Sequence, residues 1–174
     1  MLRSPKQGSN RFLPNKFLLI SPIGFFVGTI DSGCLLSLEW TSQQPDSFDG
    51  HETDLAGYIR NSLSQYFQTK VTNWDFTFHL PGTAEEQRVY IELMKVPYGT
   101  TMTYSELAEK VKKPKAIRWV AHVCAKNTLP IVIPCHRIVR KDQTGQYSAG
   151  GTKAKKWLIA HELSLVSAEC KPPF

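Results

Sequence analysis

The chain has 174 residues, of which 41% are hydrophobic and 21% charged, a composition ordinary for one or two small globular domains. No apolar run is long enough to span a bilayer and no signal-peptide pattern opens the sequence. We therefore expect no membrane partner and a cytoplasmic protein, or a nuclear one in a eukaryote. The formal net charge of +6 is compatible with a polyanionic partner without establishing one.

The N-terminal half predicts a small α/β domain over residues 15–80. Residues 1–14 are polar and predict a flexible tail. Three β-type runs at 17–20, 25–30 and 34–40 are separated by glycine-containing turns, which predicts a hairpin or meander. From Asp54 onward apolar residues recur at helical spacing as far as Phe67. Residues 74–81 complete the domain as a connection with one extended segment.

The C-terminal half, residues 81–165, predicts a mainly helical domain. The patterns Thr83-x-x-Glu86 and Thr103-x-x-Glu106 are capping boxes and mark two helix starts. Pro114 stands at the natural first position of a further helix, over about 115–126. Two short helices joined by a basic turn resemble a helix-turn-helix, although such pairs are common in helical domains.

Beyond these helices the sequence predicts a short buried strand or extended segment at 131–133, a glycine-containing loop and a last helix over about 153–163. Trp157, Leu158 and His161 are expected on the inner side of that helix, and residues 166–174 form a tail. The predicted fold class is α+β: a small N-terminal β-meander and helix domain, followed by a mainly helical domain with a helix-turn-helix and a reactive cysteine.

Basic side chains concentrate between residues 95 and 156, where acids are few. This bias is equally compatible with an ordinary solvated surface and with a nucleic-acid-binding face. Together with the helix pair, it favours DNA binding. The residues that produce the bias include Lys110, Lys112, Lys113, Lys115, Arg118, Lys126, Arg137, Arg140 and Lys141.

The cysteines Cys34, Cys124, Cys135 and Cys170 are scattered, without the spacing of a zinc site. Cys34, His51 and His79 lack a convincing fourth ligand, so we expect no metal and no cofactor. Reduced thiols are expected. Cys34 and Cys124 are interpreted as packing residues, and Cys170 as an exposed residue of the tail.

Cys135 differs because His136 and Arg137 follow it directly. A positive charge and a titratable base nearby are expected to lower the pKa of its thiol. Adjacent residues of an extended chain point to opposite sides, so a water relay could join His136 to Cys135. A third group should orient the imidazole, and spacing alone does not choose it.

The run Pro134-Cys135-His136-Arg137, followed by two aliphatic residues, resembles the active-site motif of O6-alkylguanine-DNA alkyltransferases, also called methylated-DNA–protein-cysteine methyltransferases. Residues 82–107 resemble the family's helix and its Pro-Tyr-Gly segment. Arg118 and Asn127 stand at the expected distances before the cysteine. Residues 147–151 and 157–162 resemble the family's substrate loop and closing helix. The likeness is strong over 82–163 and only general over 16–75.

The resemblance implies a catalytic role for each of five residues. Cys135 would be the nucleophile that keeps the alkyl group as a thioether. His136 would be the base, acting through a bound water, and Glu162 would hold its imidazole. Asn127 would brace the turn between the recognition helix and the cysteine segment. Tyr104 would donate a proton toward the departing guanine and help rotate the phosphate.

The resemblance also implies a DNA partner: duplex DNA containing O6-alkylguanine, or O4-alkylthymine, bound by a monomer in a single stoichiometric turnover. Arg118 would fill the gap left by the flipped nucleotide. Further contacts with the DNA would come from Ser105, Lys113, Lys115 and Lys141. The base and its alkyl group would be lined by Tyr147, Ser148, Leu129, Pro130 and Ile138.

Two departures from the family pattern lie on the recognition helix. Trp119 follows the arginine and is expected in the core, and His122 stands where a small residue is usual. Two other functions remain as alternatives: a non-catalytic protein that flags alkylated guanine, and a thiol hydrolase that uses Cys135 and His136. Known flagging proteins replace the cysteine, and a hydrolase has no use for the basic helix pair.

Overall fold

The computed structural model describes residues 15–46, 53–71, 73–142 and 145–169. The predicted meander is present as strands β1 (Asn15–Ser21), β2 (Gly24–Asp31) and β3 (Cys34–Thr41). They form one antiparallel sheet in the order β1-β2-β3. The second turn passes through Ser32 and Gly33, both with positive φ, 49° and 78°. The predicted tail at 1–14, His51 and Cys170 lie outside the described residues.

Helix α1 (Asp54–Tyr66) lies against this sheet and begins where the sequence predicts. The Thr53 hydroxyl caps it by accepting from the Ala56 amide. Its buried face continues the core formed by the inward side chains of the strands, with no exposed surface at Ile59 and Leu63. Tyr66, the last residue of α1, is buried as well.

Helix α2 (Ala84–Met94) and helix α3 (Tyr104–Lys110) both begin with the predicted capping boxes. At each start the threonine hydroxyl accepts from the backbone of a glutamate three residues later, and that carboxylate accepts from the threonine amide. A short parallel pairing of β4 (Met102–Thr103) with β5 (Ile138–Val139) joins the start of α3 to the chain beyond the cysteine.

Helix α4 (Ile117–Ala125) is the second helix of the predicted pair, but it begins two residues later than expected. The Ala116 amide donates to the Lys113 carbonyl at 2.8 Å, so Pro114 is the second residue of a turn and not the first of the helix. Lys112, with φ of 59°, follows Val111, the C-cap residue of α3. The prediction that Pro114 opens α4 is therefore wrong.

The chain at 131–133 is buried, but it is neither of the two predicted forms, a strand or an extended segment. Ile131 has φ of 76°, and the Ile133 amide donates to the Leu129 carbonyl at 2.9 Å, which makes a tight turn. The last helix, α5 (Gly151–Glu169), is longer than predicted at both ends and includes residues 166–169. Leu158 is buried as expected, whereas Trp157 is 37% exposed.

The α+β fold class is confirmed, and the two halves share one core. The Leu38 amide of β3 donates to the Thr128 carbonyl beyond α4, at 2.8 Å. The end of α1 meets α5, where His161 Nε2 lies 3.1 Å from the Tyr66 carbonyl. Among the described residues, no helix combines the length and apolarity that a membrane crossing requires.

Gly28 on β2 is expected to tolerate no side chain. A Cβ at this position would lie 2.2 Å from the ring of its cross-strand partner Phe17, which is fully buried. Gly28→Ala should lower the free energy of unfolding by about 1–3 kcal/mol, measured by urea denaturation. The double variant Phe17→Leu/Gly28→Ala should lose less unfolding free energy than the sum of the losses in the two single variants, because the smaller side chain makes room for the methyl group. An unfolding free energy unchanged by Gly28→Ala would contradict this packing.

Candidate active site

Cys135 opens a single 3-10 turn, Cys135–Arg137, directly after Pro134. All residues from 129 to 139 are buried, and the Arg137 amide closes the turn on the Pro134 carbonyl at 3.0 Å. The Cys135 side of the turn faces a cavity, whereas His136 and Arg137 are directed toward α5. The turn thus separates the thiol from its two basic neighbours.

Asn127, just beyond α4, fixes the thiol. Its Nδ2 donates to Cys135 Sγ at 3.1 Å and to the Ile133 carbonyl at 2.8 Å. Its Oδ1 accepts from the Leu129 amide at 3.0 Å. One buried amide therefore joins the end of α4 to the cysteine segment. This is where Asn127 must lie to brace the turn between the two.

His136 and Glu162 form a buried pair in which His136 Nε2 lies 2.8 Å from Glu162 Oε1. Burial alone would raise the pKa of Glu162, but hydrogen bonds from His136 and Arg137 outweigh it and lower the pKa to about 2. An ionised carboxylate can only accept, so the Nε2 of His136 carries the proton. The lone pair of a neutral ring is then on Nδ1.

The imidazole of His136 is kept neutral near pH 7. Burial lowers its pKa, and the hydrogen bond and charge of Glu162 oppose that shift only in part. Nδ1 is buried and makes no hydrogen bond within the described ranges. A neutral imidazole with a free ring nitrogen is the form that can accept a proton.

Arg137 contacts Glu162 and not the cavity, which corrects the expectation that its charge would lower the pKa of Cys135. Its Nε donates to Glu162 Oε2 at 3.0 Å, its Nη2 to Oε1 at 2.9 Å, and its Nη1 to the Val96 carbonyl at 2.8 Å. Burial raises the pKa of Cys135, opposed by Asn127 and by the charge of Lys155. The resting group is a thiol.

Two further donors to Glu162 were not predicted. The Tyr66 hydroxyl donates to Oε1 at 2.7 Å, and the Gly99 amide donates to Oε2 at 2.9 Å. Gly99 has φ of 73°, a conformation that favours glycine. A glycine directly after Pro97-Tyr98 is therefore a sequence signal for this turn. No comparable signal marks Tyr66, which occupies an ordinary apolar position of its helix.

The thiol faces a cavity of about 520 Å³ between α4, the start of α3 and the loop before α5. Predicted site residues that line it are Cys135, Tyr104, Ser105, Arg118, Lys141, Tyr147 and Ser148. Burial raises the pKa of Tyr104 to about 12, so its hydroxyl keeps its proton. Tyr147 is also buried, and its ring lies 6.0 Å from that of His136.

The cavity rim is basic. Arg118 of α4, together with Arg140 and Lys141, lines the opening, and none of the described lining residues is acidic. Lys115, three positions before Arg118 in the chain, is exposed. Lys113, in contrast, pairs with Glu85 at 2.9 Å and lies over the Trp119 ring at 4.8 Å, so it is partly engaged within the protein.

Comparison with known proteins identifies this arrangement. A family model described as "6-O-methylguanine DNA methyltransferase, DNA binding domain" matches residues 84–164. The methylated-DNA–protein-cysteine methyltransferase of Haemophilus influenzae is 31% identical over 147 residues, covering 82% of each chain. A probable enzyme of the same description from Acanthamoeba polyphaga mimivirus is 39% identical, covering 60% of this chain and 72% of its own. The chain belongs to the methylated-DNA–protein-cysteine methyltransferase family.

A solved structure supports the same membership. Mycobacterium tuberculosis OGT in complex with DNA superposes with a TM-score of 0.73 at 30% identity, covering 85% of this chain and 92% of that one. The likeness therefore extends into the N-terminal domain, where the sequence pattern is only general.

Within this methyltransferase fold, three residues predicted to line the alkyl group lie elsewhere. Leu129, Pro130 and Ile138 are buried and do not belong to the described cavity wall. Leu129 is held by the Asn127 side chain, and the Ile138 carbonyl accepts from Lys155. Conversely, Cys124 was predicted as packing, and although buried it lines the cavity.

Lys155 is a site residue that the sequence interpretation missed. It is 2% exposed, and its ammonium donates to the carbonyls of Ile138 and Gln146 and lies 5.6 Å from the centre of the Tyr104 ring. Lys155 stands three residues before Leu158 and seven before Glu162, so all three lie on the same face of the helix. This spacing could have identified Lys155 from the sequence. On the recognition helix, Trp119 packs against the core as expected and His122 is exposed.

Replacing Arg137 should destabilise this methyltransferase strongly. Arg137→Met removes two side-chain donors from the buried Glu162 and should lower the free energy of unfolding by roughly 3–5 kcal/mol, because a charge loses its partner. The matched control, Arg118→Met, removes an exposed guanidinium and should change it by less than about 0.5 kcal/mol. Equal effects in urea denaturation would contradict the role of Arg137.

Proposed function

We propose that this protein repairs alkylated DNA by moving an alkyl group from O6 of guanine to Cys135, once per molecule. The activity class, a methylated-DNA–protein-cysteine methyltransferase of DNA repair, follows from family membership. The observation that carries the residue assignment is the Cys135 thiol at the cavity wall, fixed by Asn127 at 3.1 Å. The buried His136–Glu162 pair lies behind it.

The substrate has to leave the helical stack. Cys135 is only 4% exposed, so a guanine that remains paired in duplex DNA cannot reach its sulfur. Flipping costs a few kcal/mol, which inserted side chains and phosphate contacts offset. Arg118 on the rim is proposed to occupy the gap, and Lys115 and Lys141 to contact phosphates. Ser105 is proposed to contact the strand at the cavity entrance.

In the proposed reaction, Cys135 Sγ attacks the alkyl carbon while its proton passes to Nδ1 of His136 through a water molecule. The S–C bond forms, the C–O6 bond breaks, and the bonding electron pair remains on guanine. The Tyr104 hydroxyl donates a proton to that departing guanine. Tyr104 is afterwards reprotonated, and the proton that His136 took from Cys135 replaces the one that Tyr104 gave to guanine. The net change is one proton moved from the thiol to guanine. The ionised Glu162 stabilises the transient imidazolium.

The product is a thioether, whose C–S bond does not hydrolyse, so Cys135 is not regenerated. Tyr147 and Ser148 are proposed to hold the base, since both line the cavity beside the thiol. The reaction needs a reduced cysteine, which fits a cytoplasmic or nuclear protein. A monomer is proposed, as the family resemblance implies.

Intact-protein mass spectrometry tests the proposal directly. After incubation with excess duplex containing O6-methylguanine, the mass should rise by one methyl group, located on the peptide that contains Cys135. Cys135→Ala should show no increase. Cys124→Ala, which removes the other thiol of the cavity, should still gain one methyl. A methyl group on Cys124, or continued turnover without an adduct, would contradict the assignment.

The flipping role of Arg118 predicts a difference between substrates. Arg118→Ala should slow methyl transfer from duplex DNA by roughly tenfold or more, because the gap in the duplex is no longer filled. Transfer from the free base O6-methylguanine, which needs no flipping, should change by less than about twofold. Equal losses on both substrates, measured as single-turnover rates, would rule out this role.

A further inference from the structure

We infer that Tyr66 is a positioning residue of the active site, through which the N-terminal half of the chain holds the His136–Glu162 pair. This inference rests on the proposed function of that pair. It assigns to α1 a role in the reaction that goes beyond supporting the helical half.

The Tyr66 hydroxyl lies beside the direct contact of His136 with Glu162 and touches both residues. It donates to Glu162 Oε1 at 2.7 Å, and its oxygen lies 3.3 Å from His136 Nε2. A phenol has one proton, so when that proton is given to the carboxylate the oxygen can only accept from Nε2–H. This arrangement favours the tautomer that leaves Nδ1 of His136 without a proton.

Tyr66 is fixed at both ends by consecutive residues of α5. Its carbonyl accepts from His161, with 3.1 Å to Nε2, and its hydroxyl contacts Glu162. His161 is itself stacked on Trp157, with ring centroids 4.8 Å apart and 12° between planes. The phenol is 1% exposed and can therefore adopt few other positions.

The hydroxyl cannot serve as an acid or base of its own. Burial and the neighbouring Glu162 charge raise the pKa of Tyr66 well above its usual range. Its effect on the reaction must therefore pass through the pair. Because Tyr66 shares Glu162 Oε1 with His136, it reduces the negative charge available to the imidazole. The short bond to Glu162, 2.7 Å, outweighs the longer 3.3 Å contact with Nε2, so loss of the hydroxyl should raise the pKa of His136. More of the resting imidazole is then protonated, and an imidazolium cannot accept the thiol proton.

Several other groups also influence the titration of His136. Each is within the same chain and remains unchanged when Tyr66 is replaced by Phe. They are Glu162 and Lys155 from α5, Arg137 from the cysteine turn and the ring of Tyr147 from the loop before α5. A difference in the pKa of His136 between the unaltered protein and Tyr66→Phe therefore measures the effect of the Tyr66 hydroxyl.

The test compares Tyr66→Phe with Tyr58→Phe in the full chain. Tyr58 is on the same helix but is 46% exposed, and its hydroxyl donates to Asp75 at the surface, 3.4 Å away. Tyr66→Phe should slow single-turnover methyl transfer to Cys135 by roughly tenfold or more. It should also move the His136 titration, followed by NMR of its ring C–H, to higher pH. Tyr58→Phe should change neither.

Slower transfer with an unmoved His136 titration would mean a merely structural role and would overturn the inference, as would behaviour identical to that of Tyr58→Phe. In the unaltered protein, a nuclear Overhauser contact between the Tyr66 and His136 side chains is expected, and its absence would also count against the inference. If neither the unaltered protein nor Tyr58→Phe accepts a methyl group, the proposed function fails instead, and the His136 titration still decides the role of Tyr66.

Discussion

The ionised carboxylate of Glu162 is the constraint on which the active site depends. It is 1% exposed and accepts from Tyr66, Gly99, His136 and Arg137, which belong to three separate segments of the chain. A charge buried in this way is tolerated only when its acceptor capacity is filled. The same set of bonds therefore joins both halves of the fold and fixes the tautomer of the base.

The resting site combines a protonated thiol with a neutral base. Burial raises the pKa of Cys135 and lowers that of His136, so both groups are uncharged near pH 7. Such a cysteine reacts little with small electrophiles in solution, because its thiolate is scarce. The alkyl group has to be delivered into the cavity, and the basic rim formed by Arg118, Arg140 and Lys141 suits a DNA backbone.

Much of this organisation could be predicted from local sequence. The capping boxes at Thr83 and Thr103 are complete within four residues, and the resemblance around Cys135 locates the cavity. The pairing of Tyr66 with Glu162 spans 96 positions, and no local pattern encodes it. Arg137 was predicted near the thiol because sequence adjacency does not reveal that a 3-10 turn directs its side chain to Glu162. Leu129 and Pro130 were predicted at the cavity wall because sequence does not show that the separate turn at 129–133 buries them in the core.

The most direct test of this account is the single-turnover rate of methyl transfer to Cys135 in Glu162→Gln, measured at a temperature where thermal unfolding shows the variant folded. The neutral amide keeps the shape of Glu162 but cannot accept from all its donors or stabilise an imidazolium, so the rate should fall roughly hundredfold or more. Glu92→Gln, at a surface pair with Lys95, should leave it unchanged. A folded Glu162→Gln protein that accepts the methyl group at the unaltered rate would contradict the account.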